Sequence, residues 1–238
     1  MKIDPKKCTN CGTCQPYCTV GAIAESGEGE VREVVEDECV ECGVCLRADV
    51  CPVEAIYQQD LAWPRRVRQE FSNPLIRHPS TNIGGRGTEE MKTNDVTGRF
   101  QPGFAGVGLE LGRPSIGTRF GDVQTMAQAL ASLGVQFEPQ NPVTALMIDK
   151  RKGLLDPQIL DEKALSAIIE FIIPLEKLEA VLGKIKEIAP KLKTVVTLDL
   201  ISRVAEDGSI PTVAIAEGAG FTLRPNTKTN VGLGRPSK

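Results

Sequence analysis

Eight cysteines carry the chemistry this chain offers most clearly, and all of them fall before Pro52. Cys8, Cys11, Cys14 and Cys18 are spaced C-x2-C-x2-C-x3-C. Cys39, Cys42, Cys45 and Cys51 are spaced C-x2-C-x2-C-x5-C and followed by proline. Three thiolates at two-residue intervals can wrap one corner of an iron–sulfur cube while backbone N–H groups turn towards its sulfides. The fourth cysteine of each set lies too close in sequence to close the same cube comfortably, and in two-cluster proteins it serves the other cube. Zinc is the competing chemistry, because C-x2-C pairs also build zinc ribbons. A ribbon takes two separated pairs around one tetrahedral centre, and triplets at this interval exceed that need.

The two sets repeat one unit. Cys8, Cys11, Gly12 and Cys14 map onto Cys39, Cys42, Gly43 and Cys45 at an offset of 31. After a two-residue insertion, Cys18, Val20, Ala22 and Ile23 map onto Cys51, Val53, Ala55 and Ile56 at an offset of 33. On these residues the segment from 1 to about 60 resembles a bacterial-type ferredoxin carrying two [4Fe-4S] clusters. The resemblance implies one cluster held by Cys8, Cys11, Cys14 and Cys51, and a second held by Cys39, Cys42, Cys45 and Cys18. It also implies short strands in "GAIA" and "EAIY", with a small core between the cubes. Two positions depart from the family pattern: Thr19 stands where a proline is usual, and the last gap of the second set is five residues rather than three. Thiolate ligation in acidic surroundings disfavours added negative charge, so low potentials are expected. Every cluster position has a cysteine, which points to electron transfer rather than bond chemistry.

Composition sets outer bounds. The chain has 238 residues, 41% hydrophobic and 25% charged, enough for one sizeable core with an appendage or for two domains. No apolar run approaches the ~20 residues of a membrane helix, and "MKIDPKKC" lacks the apolar stretch of a secretory signal. The expected setting is a reducing cytoplasm, where clustered cysteines bind metal rather than form disulfides. Low-potential clusters suggest an anaerobic host. Residues 1–62 carry five Lys/Arg against twelve Asp/Glu, residues 63–119 nine against five, and residues 120–238 fourteen of each. An acidic head of this kind can steer a carrier towards a basic partner surface, and it can equally be ordinary solvated surface. There is no basic stripe interleaved with aromatics, so nucleic acid is not an expected partner.

The elements that must position the cysteines are less plain. Residues 61–104 are rich in Pro, Gly, Asn and Thr without a sustained period, and read as an extended linker. Within it, Trp63 is expected to cap the small core, His78 to be a loop residue, and "GGRGTEE" to be turn chemistry. Beyond residue 104, "AGVGLELG" (105–112) and "NPVTALMID" (141–149) read as strands around a helix carrying Val123, Met126, Ala127, Leu130 and Leu133 on one face. "AIIEFII" (167–173), a helix opened by Pro174 and a strand in "TVVTLDLISRV" complete a second βαβ. The expected fold class is therefore α+β. A two-cluster ferredoxin domain (1–60) and the linker (61–104) precede a βαββαβ ferredoxin-like sandwich (105–238), a docking or ligand-binding domain whose exposed sheet face or edge would pair with a copy or another subunit. Three Gly-Arg loops, at Arg86, Arg113 and Arg235, are candidates for gathering an anion or a partner's acidic surface.

Together these features indicate an electron carrier, a dedicated donor or electron-transfer subunit of an anaerobic oxidoreductase complex; the alternatives are a reductase in its own right or a redox or metabolite sensor, with the C-terminal domain binding a ligand. The expected partner is a redox enzyme or larger catalytic subunit, with homo-oligomerisation through the second domain an additional contact. A reductase would need a substrate pocket beside a cluster, and a redox or metabolite sensor would need an output module. Neither has a recognisable motif here.

Overall fold

A computed structural model describes residues 1–27, 29–84, 100–114 and 116–224. The cysteine-bearing head is built from very short elements. Strands β1 (Lys2–Ile3) and β4 (Ile56–Tyr57) pair antiparallel, as do β2 (Ile23–Glu25) and β3 (Arg32–Val34). "GAIA" and "EAIY" thus both end in strands, and a four-residue helix α1 (Val44–Arg47) follows Gly43. Met1, Ala22, Ile23 and Ile56 fill the head's small core together with Cys14, Cys39 and Cys45.

The body is organised by a four-stranded antiparallel sheet in the order β12-β5-β11-β7. Its long strands are β5 (Phe104–Leu111), β11 (Ala167–Pro174) and β12 (Val196–Ser202), and β7 (Gln136–Phe137) forms a short edge. Alternation along β5 sends Ala105, Val107, Leu109 and Leu111 to one face, where Ile169 and Phe171 of β11 join them in the main core. Helices α3 (Phe120–Ala131) and α5 (Leu175–Ile188) close that core. Val123, Met126, Ala127 and Leu130 recur along α3, and Leu178, Val181, Leu182 and Ile185 along α5, each giving one apolar stripe. Pro174 ends β11 and opens α5 with extended backbone (φ −58°, ψ 139°).

Three expectations change. "NPVTALMID" is not one strand: Asn141 caps a short helix α4 (Pro142–Ala145), and only Met147–Asp149 is extended, as β8, pairing with β9 (Leu154–Leu155). The Asn141 carboxamide accepts from the N–H groups of Val143 and Thr144, and Pro142 occupies the first helical turn, which together start a helix. The sheet strand after α3 is instead β7, two residues beyond Gly134. Secondly, the sheet face away from the helices is not open for docking. Glu110, Ile168 and Glu170 on that face are buried, and Phe100 packs there with Ile172 and Ile201.

Thirdly, the stretch expected to be a linker contains a helix, α2 (Arg66–Ser72). Val67 and Phe71, one turn apart, bury completely into the body's core, and Phe71 meets Phe120 edge-on at 5.0 Å. Asn73, before Pro74, is forced to extended backbone and ends the helix. A further pairing, β6 (Thr118–Arg119) with β10 (Lys163–Ala164), carries the body's chain up to the head, where Val40 lies near Gly117. Helix α6 (Pro211–Gly218) packs beside α5. Among the described residues, no helix is long and apolar enough to cross a membrane.

Candidate iron–sulfur site

Both cysteine triplets lie on loops that alternate in backbone handedness. Asn10 and Glu41, each preceding the second cysteine of its set, have φ of 56°; Gly12 and Gly43, each following it, have φ of 74° and 71°. Such alternation makes the backbone concave. A Cβ at position 12 would also crowd Arg32, at 3.3 Å from its Nη2.

The fourth cysteines arrive from the opposite unit. Cys8, Cys11, Cys14 and Cys51 line one small cavity. Cys18, Cys39, Cys42 and Cys45 line another. The thiols sense one another in the same groups. Burial raises Cys14, with Cys11, Cys51 and Cys8 adding to it. Burial pushes Cys45 up to about 12, reinforced by Cys42, Cys39 and Cys18. Thr13 holds the exposed Cys11 thiol below its usual range. Loading the cavities therefore has to displace the protons that burial holds on Cys14 and Cys45.

Hydrogen bonds to sulfur repeat across the two units. The Ala22 N–H donates to Cys18 Sγ at 3.0 Å and the Ala55 N–H to Cys51 Sγ at 3.2 Å. The Arg32 N–H donates to Cys8 Sγ at 3.3 Å. The Thr13 hydroxyl reaches Cys11 Sγ and the Thr19 hydroxyl lies at Cys42 Sγ, both at 3.4 Å.

These residues suit a cube better than a single ion. Zinc needs four donors about 2.0–2.3 Å from one centre. Among the described residues, no three His, Cys, Asp or Glu side chains converge to hold one metal ion. Thiolates spread around a cavity match a cluster in which each sulfur binds a different iron. Arg32 adds a second sign: it lines the first cavity, and its Nε is buried without a protein partner. An orphaned buried donor costs about 1–3 kcal/mol, and a cluster sulfur would satisfy it. When bound, clusters of this type take up and release single electrons.

The two cavities differ in cover. Cys11 is exposed, whereas Cys39, Cys42 and Cys45 are all buried. The body and α2 close over the second set. Arg68, only 3% exposed, donates through Nη1 to the carbonyls of Glu36 (3.1 Å), Asp37 (2.8 Å) and Cys39 (2.9 Å), and its Nε pairs with Glu162. Arg119 binds Asp37, and Lys163 binds Glu38. Beneath this seam lies Glu41, fully buried, receiving the Met1 ammonium, Arg65 and Gln58. Burial alone would raise its carboxyl; the hydrogen bonds from those donors outweigh it and keep Glu41 below the usual carboxylate range.

All eight predicted cysteines therefore fall into two groups of four, the groups implied by the resemblance. Trp63 is 38% exposed and stands outside the head's core, whose cap is Met1. His78 is a loop residue but a buried one. Arg113 pairs with Glu110; Arg86 and Arg235 lie outside the described residues. Sequence reasoning missed Arg32, Glu41 and Arg68. Val67 and Phe71 at helical spacing between Pro64 and Pro74 were the available signal for α2 and hence for Arg68.

The family model for a 4Fe-4S dicluster domain matches residues 1–52. Ferredoxin-1 of Rhodobacter capsulatus is 48% identical over 42 residues, 18% of this chain and 62% of that protein. A ferredoxin-like protein in the vnf region of Azotobacter chroococcum is 38% identical over 63 residues, 24% of this chain and 91% of that protein. The chain belongs to the ferredoxin family. A further relative, named pyruvate synthase subunit PorD, from Methanocaldococcus jannaschii, is 37% identical over 54 residues, 23% of this chain and 59% of that protein. The chain thus spans under two thirds of Ferredoxin-1 and of PorD. These matches fall on the N-terminal segment and leave the rest of this ferredoxin unassigned. No solved structure matches it.

Proposed function

We propose that this ferredoxin carries two [4Fe-4S] clusters and serves as the electron-transfer subunit or dedicated donor of a larger oxidoreductase. One cluster is held by Cys8, Cys11, Cys14 and Cys51, the other by Cys39, Cys42, Cys45 and Cys18. The observation that carries this reading is the partition of the cysteines, three of one set with the fourth of the other around each cavity. The subunit role draws on the relative named as a pyruvate synthase subunit. The body then acts as a βαββαβ platform. Its sheet order of β12-β5-β11-β7, with α3 and α5 packed on one face, supports that assignment. The body positions the head by covering the second cavity and leaves Cys11 for exchange.

Native mass spectrometry of the protein purified without oxygen from its own host tests both parts. The expected mass is a larger assembly containing this chain with two [4Fe-4S] clusters. A chain recovered only alone or as a homo-oligomer would overturn the subunit role, and a chain carrying zinc in both sites would overturn the electron-transfer reading.

A further inference from the structure

The cavities differ in charge as well as cover. Arg32 walls the first, with its side chain 14% exposed. Among the described residues, no Arg, Lys, Asp or Glu side chain lines the second; Met1 does line it, and its ammonium shares the Glu41 carboxylate with Arg65. Arg47 sits over Gly43 much as Arg32 sits over Gly12, but Arg47 is exposed, bonded to Asn73 and absent from the cavity wall.

Three contacts hold Arg32 in place. Its backbone N–H donates to Cys8 Sγ at 3.3 Å. Its guanidinium lies against Gly12, and Glu25 holds Nη2 at 2.8 Å from the more exposed side. The arrangement leaves Nε buried, on a guanidinium lining the cavity, with no protein acceptor.

We propose that Arg32 sets the potential of the first cluster above that of the second. Electrons held by the chain then collect at the cluster beside exposed Cys11, where a partner can reach them. The inference rests on the two-cluster reading. An added electron is added negative charge. A guanidinium on the cavity wall and a backbone N–H bonded to Cys8 stabilise the reduced form and raise its potential, while Glu25, nearer to solvent, offsets this only in part.

The test is an anaerobic potentiometric titration of the holoprotein followed by electron paramagnetic resonance, with iron and sulfide content measured on each variant. The wild type should show two separate potentials. Arg32→Gln should lower the higher one and leave the lower unchanged, and Arg32→Lys should lower it less. Glu25→Gln, which leaves the guanidinium uncompensated, should raise it. Thr19→Val removes the hydroxyl at Cys42 and should lower only the lower potential, assigning it to the second set. Full cluster content with the higher potential unmoved in all the Arg32 and Glu25 variants, or with the lower potential moving instead, overturns the role of Arg32. Wild-type protein with iron for only one cluster overturns the two-cluster reading itself. If Arg32→Gln fails to assemble, Arg32→Lys and Glu25→Gln decide the outcome.

Discussion

The head and the body hold themselves together by different means. In the body, Phe120, Met126, Leu130, Ile169, Phe171 and Leu178 are fully buried between a sheet and two helices, and long ladders join β5 to both neighbours. Apolar burial of this kind contributes roughly 25 cal/mol per Å² removed from water, and it depends on no ligand. In the head, the strands are two or three residues long, and three of the seven buried core residues are cysteines. A segment of about 60 residues with so thin a core is marginal by itself, and bound metal or packing against the body supplements it. The chemistry-bearing region is thus the one expected to lean on its cofactor, and the body supplies the surface on which it sits.

Cluster loss gives the largest expected effect. Removing iron with a chelator should unfold the head and spare the body. Hydrogen exchange should then show β1 to β4 losing protection while β5, β11, α3 and α5 keep theirs. Single substitutions sharpen this. Cys51→Ser should cost the cluster of Cys8, Cys11 and Cys14, and Cys18→Ser that of Cys39, Cys42 and Cys45, each halving the iron per chain. Loss of the set adjacent in sequence would refute the crossed arrangement, and loss of protection across the whole chain would refute the independence of the body.

Next in size is the seam. Arg68→Met leaves three carbonyls and Glu162 without their buried donor. Breaking a buried pair from one side typically costs about 3–5 kcal/mol, so denaturant unfolding of the holoprotein should shift by that order. A shift below about 1 kcal/mol would mean that head and body are not coupled through α2.

His78 lies under the same helix. Its ring meets Phe71 edge-on at 5.0 Å, Nδ1 accepts from the Ser80 N–H and hydroxyl, and Nε2 is buried without a partner. Burial lowers its pKa to about 4 from the ordinary 6.5. Between those values the unfolded chain binds a proton that the folded chain refuses. Stability is therefore complete above about pH 6.5 and falls as pH drops towards 4, by about 3 kcal/mol in all. His78→Asn keeps an acceptor near Nδ1 and removes the titration. It should flatten the difference in stability between pH 7.5 and pH 5, and an unchanged pH slope would show that another group controls it.

What could be read in advance follows the same division. The cysteines announce themselves because ligand spacing is a local property, and the long strands and helices do so because their apolar periods run for two or more turns or four alternations. Helix α2 has seven residues, no side-chain cap and only Val67 and Phe71 as an apolar signal. Its place comes from the tertiary contacts of Phe71 with Phe120, which no local pattern encodes. Asn141 hid α4 by standing in an apolar run that reads equally as strand. Arg32 and Glu41 were illegible for a further reason: each is charged, and only the folded neighbourhood shows that one walls a cavity and the other is buried under the N-terminus.

The smallest effect separates the two layers of the seam. Arg119 binds Asp37 through both guanidinium nitrogens, at 3.2 and 2.6 Å, and also reaches Glu38 and the Asp161 carbonyl. The hydrogen bond from Arg119 holds the Asp37 carboxyl below its usual range, so the pair contributes above the ordinary carboxylate pKa and fades as pH falls through the depressed value. Yet the Asp37 side chain is 71% exposed, and exposed pairs are typically worth 0.2–1 kcal/mol. Arg119→Gln should therefore destabilise by less than about 1 kcal/mol at low salt, with the difference vanishing near 1 M salt, where screening acts within about 3 Å. Arg68→Met should keep its cost at the same salt, because its partners are buried. Equal salt sensitivity in the two variants would mean that the seam is held by surface charge throughout, and that Arg68 is not the buried lock between head and body.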